Sequence, residues 1–165
     1  MEETQITYQK TPIGIAKIIG DESGIQSVSV LDDDTVSDEL LNTSVPFCLQ
    51  ECVVQLEEYF NGKRASFGLT VNPKGTDFQK KVWKSLLKIP YGKTKSYLEQ
   101  SKALGDLKAI RAVASANGKN PLWIIIPCHR VIGSDGDLTG YAGGIWRKKW
   151  LLNHENPVKQ QSLFY

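Results

Sequence analysis

Cysteine, histidine and methionine are scarce in this 165-residue sequence, which contains three, two and one of them. A small and odd number of cysteines argues against a disulfide framework and is typical of a reducing compartment. The longest uninterrupted apolar run, residues 122–126, is far shorter than the roughly 20 residues that a membrane span needs. The N-terminus carries acids where a signal peptide carries bases. These absences predict a cytoplasmic protein with no membrane anchor.

Several site motifs are also missing. There is no Gly-x-Ser-x-Gly elbow, and the glycine-rich stretch near the C-terminus lacks the lysine of a phosphate-binding loop. Zinc generally takes four ligands at suitable spacing, whereas Cys48 and Cys52 are far in sequence from His129 and His154. We therefore expect neither a metal site nor a cofactor.

Charge is distributed unevenly along the chain. Residues 1–73 contain 4 basic and 12 acidic side chains, and residues 74–165 contain 16 basic and 6 acidic ones. Such a change of sign predicts two domains, 1–73 and 74–165, with the basic one a candidate binder of polyanions. The alternative is that the two halves attract each other, and charge alone does not separate these interpretations.

The first half shows strand patterns followed by one helix. Short β-branched segments separated by turn residues predict strands at Gln5–Tyr8, Ile15–Ile19 and Ile25–Leu31. From Pro46 the apolar residues follow a helical period, with Leu49, Cys52, Val53, Leu56 and Phe60 on one face. The segment Phe67–Val71 is predicted to return to the sheet, which gives an α/β domain.

The second half begins with helices. Thr76 is predicted to cap a first helix, and the capping-box sequence Ser96–Glu99 opens a second. Asp106 is predicted to cap a third helix that runs to Ala116. Two short helices joined by a glycine-containing turn follow the helix-turn-helix plan, although a helical hairpin that only packs tightly has the same pattern.

The remainder of the second half carries the most reactive side chain. The apolar segment Leu122–Ile126 is predicted to be a buried strand, and a last helix is predicted from Trp146 to Asn153. Between them, Cys128 is followed directly by His129. A thiol becomes a useful nucleophile as the thiolate, which a nearby base can generate. The alternatives are a cysteine hydrolase and a buried structural cysteine.

The motifs of the second half, taken together, resemble those of the O6-alkylguanine-DNA alkyltransferases. The segment Ile126–Gly133, with the sequence Ile-Pro-Cys-His-Arg-Val-Ile-Gly, is similar to the active-site signature of that family. Other matching motifs occur in the family's order and spacing: Phe78-Gln79-x-x-Val82-Trp83, Ile89-Pro90-Tyr91-Gly92, Ser96-Tyr97, Arg111-Ala112-Val113, Asn120-Pro121 and Tyr141-Ala142-Gly143-Gly144. The likeness covers residues 76–155 closely and is weak before them.

The resemblance implies a two-domain fold and a reaction. Residues 1–73 would form a small RNase H-like α/β domain, and residues 74–165 a mostly helical domain with a helix-turn-helix of winged-helix type. The protein would transfer an alkyl group irreversibly from O6 of guanine, and from O4 of thymine, to one of its own cysteines, acting once per molecule. Base flipping out of duplex DNA would precede the transfer.

The resemblance also implies roles for individual residues. Cys128 would accept the alkyl group, His129 would take the thiol proton through a water, and Glu155 would orient His129. Asn120 would organise the turn before the active-site segment, and Tyr97 would hydrogen-bond the guanine as its oxygen gains charge.

The expected partner is alkylated double-stranded DNA, bound in the minor groove by a monomer at the nucleoid. Arg111 would fill the place of the flipped nucleotide, and small side chains such as Ala112 would let the second helix approach the groove. We expect DNA contacts from Lys108, Lys119 and Arg130 as well, and salt-sensitive binding.

Four residues are expected to line the base pocket: Val131, Tyr141, Ala142 and Trp123. Ala142 stands where many relatives have serine, so only a backbone donor would reach O6 there. Trp123 is expected to disfavour bulky adducts. A non-catalytic alkylated-base binder of the same fold remains an alternative, which the presence of Cys128 opposes, and the cysteine hydrolase is a further one.

Overall fold

The computed structural model describes residues 3–138 and 140–157, and the chain forms two compact units. The first unit combines residues up to Lys74 with Pro121–Ile125, and the second combines Gly75–Asn120 with the residues from Ile126 onward. The sequence-based division at residue 73 treats each domain as one continuous segment. The structure differs because Pro121–Ile125 returns to the sheet of the first unit.

The first unit is built on a three-stranded antiparallel sheet in the order β1-β2-β3. Its strands are β1 (Gln5–Thr11), β2 (Gly14–Asp21) and β3 (Gly24–Leu31). All three predicted strands are present, each longer than predicted. The segment Phe67–Val71 returns to this sheet at Val71 alone, which forms an isolated parallel bridge with Ile25, so the prediction of a strand over the whole segment is wrong.

Two helices accompany this sheet, α1 (Asp38–Leu41) and α2 (Phe47–Phe60). The predicted apolar face of α2 is the buried one, since Leu49, Cys52 and Leu56 are fully buried. These residues are spaced three and four apart, which places them on one side of the helix. The helix α2 packs against β1 and β2 and contributes this side to the core of the first unit.

The segment Leu122–Ile126 is buried except at the half-buried Trp123, but it is not the predicted strand. Leu122 forms an isolated parallel bridge with Val28, held by hydrogen bonds of 2.8 and 2.9 Å on either side. The chain then turns, and Ile124 adopts a φ of 74°, a left-handed conformation that is unusual for a β-branched residue. The pairing therefore ends after one residue.

The second unit contains four helices among its described residues, together with a two-stranded parallel pairing. These elements are α3 (Asp77–Leu86), β4 (Lys95–Ser96), α4 (Tyr97–Ala103), α5 (Ile110–Gly118), β5 (Val131–Ile132) and α6 (Ile145–Glu155). Reciprocal capping boxes at Thr76 and Ser96 confirm the predicted starts of α3 and α4. Val82 and Val113 bring α3 against α5 in a buried cluster.

The connection between α4 and α5 is longer than predicted. Gly105 turns the chain with a φ of 86°, which glycine adopts without steric cost. Asp106 accepts a hydrogen bond from the backbone N–H of Lys108, so it caps a short 3-10 turn and α5 begins only at Ile110. None of the described helices is long and apolar enough to cross a membrane.

Candidate active site

A single turn of 3-10 helix carries Cys128, directly after Pro127. The backbone N–H of Cys128 donates to the carbonyl of Ile126 at 2.8 Å, and the same carbonyl accepts from Nδ2 of Asn120 at 2.8 Å. Asn120 is buried, so its amide fixes the chain just before the thiol. This geometry suits an Asn120 that organises the turn before the active-site segment, which stays a prediction.

Behind Cys128 lies a buried triad of charged and polar groups formed by His129, Glu155 and Arg130. Nε2 of His129 lies 2.8 Å from Oε2 of Glu155, and Nε of Arg130 lies 2.8 Å from Oε1 of the same carboxylate. A third contact joins Nη2 of Arg130 to Oε2 of Glu155 at 3.1 Å. All three side chains are nearly inaccessible to solvent, so the carboxylate is held from two directions.

The electrostatics of this triad determine which nitrogen of His129 is basic. Burial would raise the pKa of Glu155, but hydrogen bonds from His129 and Arg130 outweigh it and hold that pKa well below its usual value. Burial lowers the pKa of His129, so its ring is neutral. Because a carboxylate only accepts, Nε2 carries the proton and donates it to Glu155. Nδ1 is then the basic nitrogen, and it hydrogen-bonds to none of the described residues.

Cys128 is a buried thiol under opposing influences. Burial raises its pKa, while a hydrogen bond from Asn120 and the positive charge of Lys148 act against that increase. The net pKa is above the usual value, so the thiol is mostly protonated at neutral pH. Nucleophilic attack by Cys128 therefore requires a base, and Nδ1 of the adjacent residue His129 is a suitable one.

The thiol lies at a cavity of about 540 Å³ in the second unit. The cavity brings together five residues selected from the sequence: Cys128, Tyr97, Arg111, Tyr141 and Ala142. Burial, and next the charge that Cys128 would carry, raise the pKa of Tyr141 well above its usual value. The phenol of Tyr141 thus stays protonated beside the sulfur. A cavity with aromatic walls and one nucleophile suits a planar base.

Two residues expected in the base pocket are not among the described residues that line this cavity. Val131 is fully buried in β5. Trp123 belongs to the first unit, where its backbone N–H donates to the carbonyl of Val28 at 2.9 Å. The expected places of Val131 and Trp123 at the base, and the steric role of Trp123, stay predictions.

The expectation for Arg130 is corrected. It was expected to contact DNA, but it is 6% exposed and forms its two-point ion pair with Glu155. Its Nη1 donates to the carbonyl of Ile89 at 2.7 Å, and its guanidinium lies 5.8 Å from the ring centre of Tyr91. Because this guanidinium is buried and directs three of its N–H groups at Glu155 and Ile89, it is not presented to a phosphate at the surface.

The helix α5 presents the other residues expected at the DNA. Arg111 and Ala112 are exposed on α5, and Lys108 and Lys119 are exposed at its two ends. Arg111 also lines the cavity that holds Cys128. Arg111 therefore lies on α5 at the mouth of the reactive site, with a small side chain next to it and an exposed lysine near each end of the helix.

Lys148 is the functional side chain that the sequence reasoning missed. It is fully buried in α6, and its Nζ lies 3.4 Å from the carbonyl of Gly140 and 5.8 Å from the ring centre of Tyr97. Burial lowers the pKa of Lys148 to about 8, against the opposing influence of Cys128. The sequence does contain a feature that predicts this burial. Lys148 precedes Leu151 by three residues and Glu155 by seven, so all three lie on one face of the helix.

Comparisons with known proteins agree with this site. The family described as 6-O-methylguanine DNA methyltransferase, DNA binding domain, matches residues 77–157, and its ribonuclease-like domain matches residues 5–73. A methylated-DNA–protein-cysteine methyltransferase of Methanosarcina barkeri is 47% identical over 150 residues, covering 88% of this chain and 93% of its own length. A constitutive one from Bacillus subtilis is 44% identical over 154 residues, covering 90% and 93%.

Solved structures extend the agreement to the fold. A crystal structure of Mycobacterium tuberculosis OGT in complex with DNA is similar to this chain, with a TM-score of 0.82 and 43% identity over 92% of each chain. The predicted α/β, two-domain fold class is thereby confirmed. Both domain families match this chain, and the 47% identity to the Methanosarcina barkeri protein extends over 93% of that protein's length. The chain therefore belongs to the 6-O-methylguanine DNA methyltransferase family.

Proposed function

We propose that Cys128 is the acceptor in the reaction that this family membership establishes, direct repair of DNA by transfer of an alkyl group to a protein cysteine. One observation carries the assignment: Cys128 lies at the cavity lined by Tyr97 and Arg111, and a neutral histidine with a basic Nδ1 follows it in the chain. Neither Cys48 nor Cys52 is among the described residues that line this cavity, and Cys52 is a core residue whose pKa burial raises to about 12.

The first step is loss of the thiol proton. Nδ1 of His129 takes the proton from Sγ through a bridging water, and the ion pair with Glu155 stabilises the imidazolium that forms. Arg130 keeps Glu155 ionised throughout. Lys148 stabilises the thiolate by its charge. In this arrangement a thiol that is protonated at rest becomes a nucleophile only when a base is available.

The second step is the transfer itself. The thiolate attacks the alkyl carbon, a C–S bond forms as the C–O6 bond breaks, and the electron pair goes to O6 of the guanine. The proton that His129 took from the thiol passes through water to the guanine, so His129 returns to its neutral form and charge balances over the two steps. Tyr97 donates a hydrogen bond to the base as charge develops, and the backbone at Ala142 faces the O6 side. The resulting thioether has no leaving group for water, so each molecule acts once.

DNA binding uses α5 in the minor groove, with the protein acting as a monomer. Small exposed residues such as Ala112 support close approach of this helix to the groove. Arg111, at the mouth of the cavity, enters the base stack as the damaged nucleotide flips out. The same pocket accepts O4-alkylthymine. Three free thiols support action in the reducing cytoplasm, on nucleoid DNA.

The test is the intact mass of the protein after mixing with a duplex that contains one O6-methylguanine. We expect a gain of about 14 Da, mapped by peptide sequencing to Cys128 and saturating at one per molecule. Cys128→Ser is expected to bind the same duplex without any gain in mass.

Other outcomes would contradict the proposal in distinct ways. A methyl group on Cys48 or Cys52 would leave the family reaction intact and reject Cys128 as acceptor. Tight binding with no gain in mass would identify a non-catalytic lesion binder. Repeated turnover on an ester or peptide, with no response to DNA, would identify a cysteine hydrolase.

A further inference from the structure

We propose that a reciprocal amide pair between Gln100 and Asn117 positions α4, and with it Tyr97, against the side of the cavity that carries Cys128. This inference rests on the proposed function of Cys128 and Tyr97. Gln100 is on α4 and does not line the cavity, so it acts through Tyr97 and is a positioning residue rather than a catalytic one.

The two amides bind each other through both of their functional groups. Nε2 of Gln100 donates to Oδ1 of Asn117 at 3.0 Å, and Nδ2 of Asn117 donates back to Oε1 of Gln100 at 2.7 Å. The second hydrogen of Nε2 reaches Oγ of Ser85 on α3 at 3.3 Å. Gln100 is 2% and Asn117 5% exposed. The contact therefore fixes both distance and direction between α4 and α5.

If these two positions served only to fill the core, two packed apolar side chains would do so with a smaller desolvation free energy than two amides. Desolvating two amides is unfavourable unless every group is bonded, and the return is a unique geometry that two leucines do not define. Because paired amides tolerate little sliding or rotation, α4 has one register against α5. This is a property that a site needs and a core does not.

The register matters because α4 is short and carries Tyr97 at its first position. A helix of seven residues has little stability of its own, so its place is determined by tertiary contacts. Gln100 lies one turn after Tyr97 on the same side of α4. Movement of α4 would therefore move the phenol.

The opposite end of the pair leads to the nucleophile. Asn117 lines the cavity, and its carbonyl accepts from the backbone N–H of Asn120 at 3.2 Å. Asn120 holds the chain before Cys128 through Ile126. The amide pair thus joins the helix that carries Tyr97 to the residues that support the chain before Cys128.

The experiment compares Gln100→Leu with Gln55→Leu in the full chain. Gln55 is a matched control, because it is an equally buried glutamine with hydrogen bonds to Glu51 and Gly68 in the other unit. Gln100→Asn, which keeps an amide but shortens it, provides a milder second variant in case Gln100→Leu does not fold.

Three quantities are measured for each variant, below its thermal midpoint: the methyl transfer rate at saturating duplex, the half-saturating duplex concentration, and the rate of Cys128 alkylation by iodoacetamide. Gln100→Leu is expected to slow saturated transfer by about ten- to a hundredfold. The half-saturating concentration and the iodoacetamide rate are expected to change by less than about twofold, since neither depends on Tyr97. Gln55→Leu is expected to lower the thermal midpoint and leave all three quantities unchanged.

The proposal is overturned if Gln100→Leu slows transfer no more than Gln55→Leu does. It is also overturned if the iodoacetamide rate falls as much as transfer, because the pair would then act on the nucleophile and not on α4. Failure of the wild-type protein to methylate Cys128 would instead reject the proposed function, and the iodoacetamide rate would still report on Cys128.

Discussion

The two compact units bury different kinds of side chain. Among the described residues, the first unit buries two polar side chains, Thr7 and Gln55. The second buries ten: Ser96, Gln100, Ser101, Asn117, Asn120, His129, Arg130, Arg147, Lys148 and Glu155. Polar groups cost free energy when they leave water unless they are paired. The first unit is thus organised for packing, whereas the second accepts that cost to hold reactive groups in fixed positions.

The two units can also be compared through a single kind of group, the buried cysteine thiol that each of them contains. Cys52 and Cys128 are both desolvated, and burial raises the pKa of each. Only at Cys128 do a hydrogen bond from Asn120 and the charge of Lys148 act in the opposite direction. Burial by itself makes a thiol inert, so reactivity in this chain comes from the neighbours of the sulfur.

The largest expected effect separates these two thiols. Cys128→Ala is expected to abolish methyl transfer, because it removes the one thiol among the described residues that line the cavity. Cys52→Ala is expected to leave the transfer rate unchanged and to lower stability by about 1–2 kcal/mol, since it removes only core packing. Single-turnover transfer and urea unfolding measure the two properties. Residual transfer in Cys128→Ala would show that a second acceptor exists.

The next effect contrasts two ion pairs. Glu155→Gln is expected to destabilise the second unit by about 3–5 kcal/mol, because it leaves Arg130 buried without a counter-charge. It is also expected to slow transfer about a hundredfold, since an imidazolium at His129 would no longer be stabilised. Denaturant unfolding and single-turnover rates measure these losses.

The control for that variant is Glu58→Gln in the first unit. Glu58 pairs with Arg64 at 3.1 Å, but the two side chains are 39% and 28% exposed. A pair this open contributes about 0–1 kcal/mol. Equal losses in the two variants would mean that burial of the Glu155 pair has no energetic consequence, contrary to the comparison between the units.

A smaller effect is expected from Lys148→Met. Removing the charge beside Cys128 is expected to raise the thiol pKa, so transfer at neutral pH slows about tenfold and the pH–rate profile moves to higher pH. Stability is expected to stay equal or increase, because a buried lysine is replaced by an apolar side chain of similar length. The control is the next residue, Lys149, which is exposed. Lys149→Met is expected to leave the pH–rate profile unchanged.

How far the sequence could predict this arrangement depends on the range of each interaction. The strands and helix starts were predictable because alternation, helical period and capping boxes act within a few residues, as at Ser96 and Glu99. The return of Pro121–Ile125 to the first unit was not, because it depends on hydrogen bonds to Val28 about ninety residues earlier in the chain. A run of apolar residues has the same pattern whether it pairs or turns.

The same distinction holds at the site. The resemblance pointed to Cys128 and Glu155, and the structure places both in one unit, Cys128 at the cavity and Glu155 in the triad with His129. It could not show that Arg130 turns inward, because surface and buried arginines are identical in sequence until their partner is known. Lys148 was missed for the opposite reason, because lysine is rarely fully buried and a lysine in a helix therefore predicts an exposed side chain.

The smallest effects concern the exposed charges, in which the two units also differ. Lys119→Ala and Lys108→Ala remove exposed cations beside α5. Each is expected to weaken binding to undamaged duplex a few-fold and to reduce the slope of log affinity against log salt by about one, because one fewer counterion is released. Lys63→Ala removes an equally exposed cation from the acidic unit, and it is expected to leave both quantities unchanged. Fluorescence anisotropy over a range of salt concentrations measures the slopes. If Lys63→Ala reduced the slope as much as Lys119→Ala, duplex DNA would contact both units, and the division between a packing unit and a binding unit would not hold.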